Sequence, residues 1–213
     1  MNSLRLFVPT CVALIAGLCA ARPAHAEYPA PALYLGVHGG ANIVIAPWDF
    51  GKNAYQDSLA PQDGVYGMGG VRVGYQLSPQ FALEIGGSVH PFSSTAATGN
   101  IGLEYDLSGL YHFTKGNFAP YILVGAGGYH AISGDLTADF DPQVHAGLGL
   151  RGLLAPWVAL RLEGRDVISD GFDGPSNNVE IRGGLDFFFG GKPDKDKDGI
   201  VDEEDACPTV VAG

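Results

Sequence analysis

Between Asp194 and Pro208 the chain reads DKDKDGIVDEEDACP, and its oxygen donors fall at intervals that suit a hard divalent cation. Counting Asp194 as position 1, Asp196, Asp198, Asp202 and Asp205 stand at positions 3, 5, 9 and 12, and the main-chain carbonyl of Ile200 stands at 7. Calcium takes about six to eight oxygens at such spacings, and a glycine at position 6, here Gly199, permits the sharp turn between them. Position 12 is an aspartate where an EF-hand has a bidentate glutamate, and no amphipathic helix flanks the run. Five carboxylates crowded together repel, so the segment is expected to be extended without metal and to bind one Ca2+ with it. The competing reading is a solvated acidic linker.

Two further sets of side chains could do chemistry. His38, His90, His112 and His145, with Ser88 and Ser108, share one parity in alternating stretches. Serine, histidine and an acid together can make a hydrolase, but there is no G-x-S-x-G nucleophile motif. Histidines on a polar face are more often hydrogen-bonded filler. The second set is ionic: Arg72, Arg151, Arg161, Arg165 and Arg182 against Glu84, Glu104, Asp106, Glu163, Glu180 and Asp186. Five cations against six anions is close to balance, as expected of charges that must share one enclosed space.

The elements that carry these groups are strands. In residues 65–89, VYGMGGVRVGYQLSPQFALEIGGSV, apolar residues alternate with Arg72, Gly74, Gln76, Glu84, Gly86 and Ser88 about a break at Ser78, Pro79 and Gln80. Side chains alternate across a strand, so this is a hairpin with one apolar and one polar face. The same period places strand one at 33–43, strand four at 103–113, strand six at 144–151, strand seven at 158–165 and strand eight at 179–189. Strand five covers 118–130, where both faces are acceptable to lipid and the register stays open; Pro120, Gly125, Gly127 and Gly128 argue against a membrane helix there. The connections alternate long and short: 46–64, 78–80, 91–100, 114–117, 131–142, 155–157 and 166–178. Aromatics gather at the short-turn end as Tyr75, Phe81, Tyr111, Phe113, Phe118, Trp157, Phe187 and Phe189. Mid-strand charges beside lipid-compatible residues require a closed interior if the apolar face meets a bilayer, and the aromatic belt marks one membrane interface. A lipocalin-like soluble carrier needs the opposite polarity. The glycines, 32 in all, let bulky interior neighbours fit.

A net charge of −11 argues against nucleic-acid binding, which needs a basic stripe. Arg5, the apolar run 6–20 and Ala24-His25-Ala26 form a secretory signal over 1–26. Cleavage removes Arg5 and Arg22 and leaves 10 Lys+Arg against 23 Asp+Glu, a net −13, with Cys207 as the one cysteine. A disulfide-stapled scaffold is thereby excluded.

The eight alternating segments, the stretch VRVGYQLSP, the Pro120-Tyr121 strand start, Leu160-Arg161-Leu162-Glu163 and the aromatic end Leu185 to Phe189 together resemble the OmpA-like eight-stranded outer-membrane barrel family, over about residues 32–190. The resemblance implies an all-β, closed antiparallel transmembrane barrel over 27–190, monomeric, in the outer membrane of a Gram-negative bacterium, with lipid as its surroundings. The tail, 191–213, resembles a thrombospondin type 3 calcium repeat. That likeness implies a periplasmic segment of the kind that links such barrels to a peptidoglycan-binding domain, and it makes the odd Cys207 a sign of a missing downstream partner. The functional expectation is a structural barrel; a small gated porin-like channel and a lipid-modifying barrel enzyme are the alternatives. Calorimetry on a peptide of residues 191–213 should show one Ca2+ with a Kd on the order of 10⁻⁴ to 10⁻³ M, and little Mg2+ competition. An Asp198→Asn/Asp205→Asn peptide should show no calcium heat.

Overall fold

Strict alternation of lipid-compatible and polar residues produces eight strands that close on themselves. The computed structural model describes residues 29–45, 64–92, 100–131, 140–169 and 175–190. Its elements are β1 (Ala32–Val44), β2 (Val65–Gln76), β3 (Phe81–Phe92), β4 (Asn100–His112), β5 (Phe118–Ala131), β6 (Phe140–Ala155), β7 (Val158–Ser169) and β8 (Ser176–Phe189). Each pairs antiparallel with its sequence neighbours, and β1 closes the cylinder against β8 from Leu33↔Phe189 to Val44↔Asn178. Closure leaves no sheet edge, which is what lets strands cross a bilayer. The expected signal segment 1–26 and tail 191–213 lie outside the described residues.

Three of the loops expected from sequence are shorter than their polarity suggested. β3 runs on to Phe92, β6 begins at Phe140, β7 continues to Ser169 and β8 starts at Ser176. For the loops 131–142 and 166–178 the reason is that Asp141, Ser169, Ser176 and Asn178, with Gln143 next along β6, are buried, pointing into a polar lumen. Ser169 Oγ and Ser176 Oγ, for example, lie 2.6 Å apart. A polar strand lining a polar interior reads like a loop when only composition is visible.

The register that β5 left open is settled by its tyrosines. Ala119, Tyr121, Leu123 and Tyr129 are buried, while Ile122 and Val124 face out. Tyr121 and Tyr129 carry hydroxyls that find carboxylates inside the barrel, and a buried tyrosine needs such a partner.

At the short-turn end the lumen is floored by apolar packing. Ala32, Ala82, Ala119 and Ala159, from the four odd strands, pack with Tyr34, Leu110, Tyr121, Leu123 and Phe188. Small residues from alternate strands leave room for the large ones between them. Higher up, glycine takes the small role. Gly36 pairs with Arg72, Gly70 with His38, Gly74 with Tyr34, Gly86 with Asp106, Gly125 with His145 and Gly149 with Tyr121. A Cβ on Gly70 would meet His38 Cε1 at 2.8 Å, and one on Gly36 would meet Arg72 Cγ at 2.6 Å. Gly183, facing out from β8, has nothing within 4 Å of its absent side chain. Gly74→Val, which drives a side chain into the Tyr34 ring, should lower unfolding stability by about 1–3 kcal/mol. Gly183→Val should change it by less than about 0.5 kcal/mol, both measured by urea unfolding of the barrel in phospholipid vesicles.

Candidate functional site

The polar faces of all eight strands converge on the lumen, and every charged residue that sequence placed there is buried. Arg72, Glu84, Glu104, Asp106, Arg151, Arg161, Glu163, Arg165, Glu180, Arg182 and Asp186 are each no more than 3% exposed. They form one connected network in two tiers.

The tier nearer the floor centres on Arg161 of β7. Its Nη1 reaches Glu84 Oε2 at 2.5 Å, its Nε donates to Glu163 Oε2 at 3.0 Å and to Tyr121 Oη at 2.7 Å, and its Nη2 also contacts Glu163. Tyr34 donates to Glu84 at 2.9 Å and Tyr121 to Glu163 at 2.7 Å. Arg151 spans floor and network. Its Nη1 donates to Gln76 at 3.0 Å, its Nη2 lies 3.1 Å from Asp186, and its guanidinium sits 4.7 Å from the Tyr34 ring centre. Arg72 differs in kind: it lies 3.4 Å from Asp186, 3.8 Å from Glu163 and 3.9 Å from Glu84, and none of its nitrogens makes a hydrogen bond among the described residues. This tier balances, with Arg72, Arg151 and Arg161 against Glu84, Glu163 and Asp186.

Arg165 joins the tiers, with Nε 2.5 Å from Glu163 Oε1 and Nη1 3.3 Å from Asp106 Oδ2. Above it, Arg182 Nη2 clamps Glu104 at 2.6 Å and 2.8 Å and Glu180 at 2.6 Å, while its Nε donates to Glu180 at 3.0 Å. His90 Nε2 and Gln143 Nε2 complete Glu104, at 3.0 and 3.1 Å. Tyr129 and Asn42 complete Glu180, at 2.9 and 3.2 Å. Sequence reading missed Tyr129 and Gln143 as members of this shell; Gln143 fell between the expected loop 131–142 and strand six, and Tyr129 in the unregistered strand.

The ligand atoms of His90, Glu104 and Glu180 lie within 4.8 Å of one another, close enough to hold a metal. The guanidinium of Arg182 already stands against both carboxylates, and each of the four carboxylate oxygens accepts at least two hydrogen bonds. A metal would have to break these, so the donor set suits the arginine better. The calcium ligands expected at Asp194, Asp196, Asp198, Ile200, Asp202 and Asp205 lie outside the described residues.

The serine–histidine pairs do form. His38 Nε2 lies 2.9 Å from Ser88 Oγ, and Ser108 Oγ lies 2.9 Å from His145 Nε2. In a hydrolytic triad the acid holds the nitrogen of histidine remote from serine. Here Asp106 instead accepts from Ser108 itself at 2.8 Å, and it approaches the same His145 Nε2 at 3.9 Å. His112 Nδ1 meets the Gln80 carbonyl at 3.3 Å. The geometry is that of hydrogen-bonded filling.

Outside, the wall is apolar: Leu35, Val37, Val71, Val73, Leu83, Ile85, Leu107, Leu148 and Leu162 are all exposed. Tyr75, Phe81, Phe113, Phe118, Trp157 and Phe189 ring the short-turn end. An ion-lined interior inside an apolar, aromatic-girdled cylinder is the inverse of a soluble protein. The model of the outer membrane protein beta-barrel domain matches residues 10–187. The chain belongs to that family. It is accordingly a protein of the Gram-negative outer membrane.

Among solved structures, Neisserial surface protein A is similar at a TM-score of 0.55 and 13% identity, over 74% of this chain and 97% of that one. The N-terminal barrel domain of Pseudomonas aeruginosa OprF is similar at 0.50 and 14%, over 73% and 97%. These likenesses concern the fold. No curated protein matches the chain.

Removing Arg182 tests whether the barrel depends on ion pairing. Arg182→Met leaves Glu104 and Glu180 buried without their cation and should cost about 3–5 kcal/mol. Adding Glu104→Gln and Glu180→Gln to that variant should recover most of the loss, read by denaturant unfolding of the barrel in lipid.

Proposed function

We propose that this chain is a structural outer-membrane barrel, without catalytic or transport activity, whose acidic tail binds calcium on the periplasmic side. If a further domain follows that tail, its expected class is peptidoglycan-binding. The observation that carries the structural reading is the filled lumen. Eleven charged side chains are packed against one another, and below them Ala32, Ala82, Leu110, Ala119, Ala159 and Phe188 close the short-turn end with apolar contacts. An eight-stranded barrel has an interior just wide enough for side chains, and here the side chains use it.

Two other readings fare worse on the same residues. A channel would need the ionic tiers and the apolar floor to part together, since an ion leaving the charged region meets alanines, Leu110 and Phe188. A lipid-modifying enzyme would need a nucleophile within reach of lipid, and Ser88 and Ser108 are both about 1% exposed inside the wall. Planar-bilayer recording on the purified barrel checks the reading: no discrete conductance steps are expected, for the parent or for Phe188→Ala, which opens the floor while leaving the ions paired. Reproducible steps from the parent protein, altered by Arg161→Met, would move the assignment to a gated channel.

A further inference from the structure

The outer wall is not evenly clothed. Around Gly109 of β4 it is indented by a groove of about 260 Å³, walled by Phe81 and Leu83 of β3 and by Ile122 and Val124 of β5, with Leu77 and Tyr111 lining it toward the turns. Gly109 forms the floor. A Cβ built there would meet nothing nearer than the Val124 carbonyl oxygen at 4.0 Å, so the indentation is open on the lipid side. Phe81 and Tyr111, with ring centres 5.0 Å apart, belong to the aromatic girdle. Gln80 Nε2 lies 3.5 Å from the Tyr111 hydroxyl and sets a polar rim just below the groove.

Charge singles out the same hairpin. All five arginines of the described residues point into the lumen, which leaves Lys115 as the one lysine or arginine on the outside among them. It is exposed on the turn between β4 and β5, at the foot of the strand that carries Gly109. No acidic side chain of the described residues faces out at that end; Asp166 is exposed on β7 toward the opposite rim. In a chain of net charge −11, an unopposed cation beneath an apolar groove at girdle height is a place where a negative head group is attracted and not repelled.

We propose that the Gly109 groove holds an acyl chain of an anionic glycerophospholipid from the leaflet on the short-turn side, with its phosphate held at Lys115. The groove is continuous with the lipid-facing wall, so hydrocarbon is its natural occupant. The lysine selects the head group, and the girdle fixes the depth. Short turns of such barrels face the periplasm, which places the lipid in the inner leaflet.

The test uses the full chain refolded into phosphatidylcholine nanodiscs that contain equal amounts of phosphatidylglycerol and phosphatidylethanolamine with matched acyl chains. Native mass spectrometry then reads the lipid retained after release. Phosphatidylglycerol should be retained about fivefold over phosphatidylethanolamine, the preference that one lysine near an anionic surface supports. Lys115→Gln should bring the two to parity. Gly109→Phe, which fills the groove, should remove adducts of both, and Gly109→Leu repeats the test with a smaller side chain. Heat-modifiable gel mobility confirms that each variant is closed. Equal retention of the two lipids by the parent protein overturns the head-group assignment. Adducts unchanged by both Gly109 variants overturn the groove.

Discussion

Ions taken out of water must find opposite ions, and in this barrel that requirement governs both faces of every strand. The outward face belongs to lipid, so charge can go only inward. There the interior is a few side chains wide and has no bulk water to dissolve an unpaired group, and the penalty for leaving one alone is several kcal/mol. The network answers with contact on almost every oxygen. Arg161 touches Glu84, Glu163 and Tyr121, and Arg182 touches Glu104 and Glu180. Two of these pairs, Arg161 with Glu84 and Arg182 with Glu104, are 77 and 78 residues apart in sequence and link β3 with β7 and β4 with β8 across the lumen. Ion pairing here is therefore also cross-bracing of the cylinder.

Guanidinium groups and aromatic rings need space that eight strands do not give freely. The glycines supply it. Tyr34 lies opposite Gly74, Arg72 opposite Gly36 and Gly86, and Tyr121 opposite Gly149, so each large inward side chain leans over a neighbour that has none. Glycine weakens an isolated strand, but in a closed barrel every strand is held on both sides, and the room gained is what allows the ionic tiers to interdigitate. At the floor the same role passes to alanine, because the partners there are apolar and the packing can be tighter.

The two tiers are not equally braced. Arg161 and Arg182 each donate several hydrogen bonds, whereas Arg72 sits among Asp186, Glu163 and Glu84 at 3.4 to 3.9 Å with ion pairs alone. Arg72 and Asp186 thus form the loosest part of a tightly held interior.

Much of this was legible in the sequence. Period-two alternation, clearest in 65–89 and VALRLEGR and repeated in the other segments up to 179–189, with charges on one parity, determined the class and the inward side of Arg72, Glu84, Arg161, Glu163 and Arg182. A one-residue slip would put each of them in lipid, so the register had one physical solution. Alternating long and short connections, with aromatics at one end, determined the orientation of the wall. Tertiary structure alone decided three things. In β5 both parities are apolar, and only the carboxylates of Glu163 and Glu180, waiting on other strands, pull Tyr121 and Tyr129 inward. At the rim, Asp141, Ser169, Ser176 and Asn178 look like loop until a polar lumen exists to receive them. And which arginine serves which acid depends on distances across a closed cylinder, which no local spacing encodes.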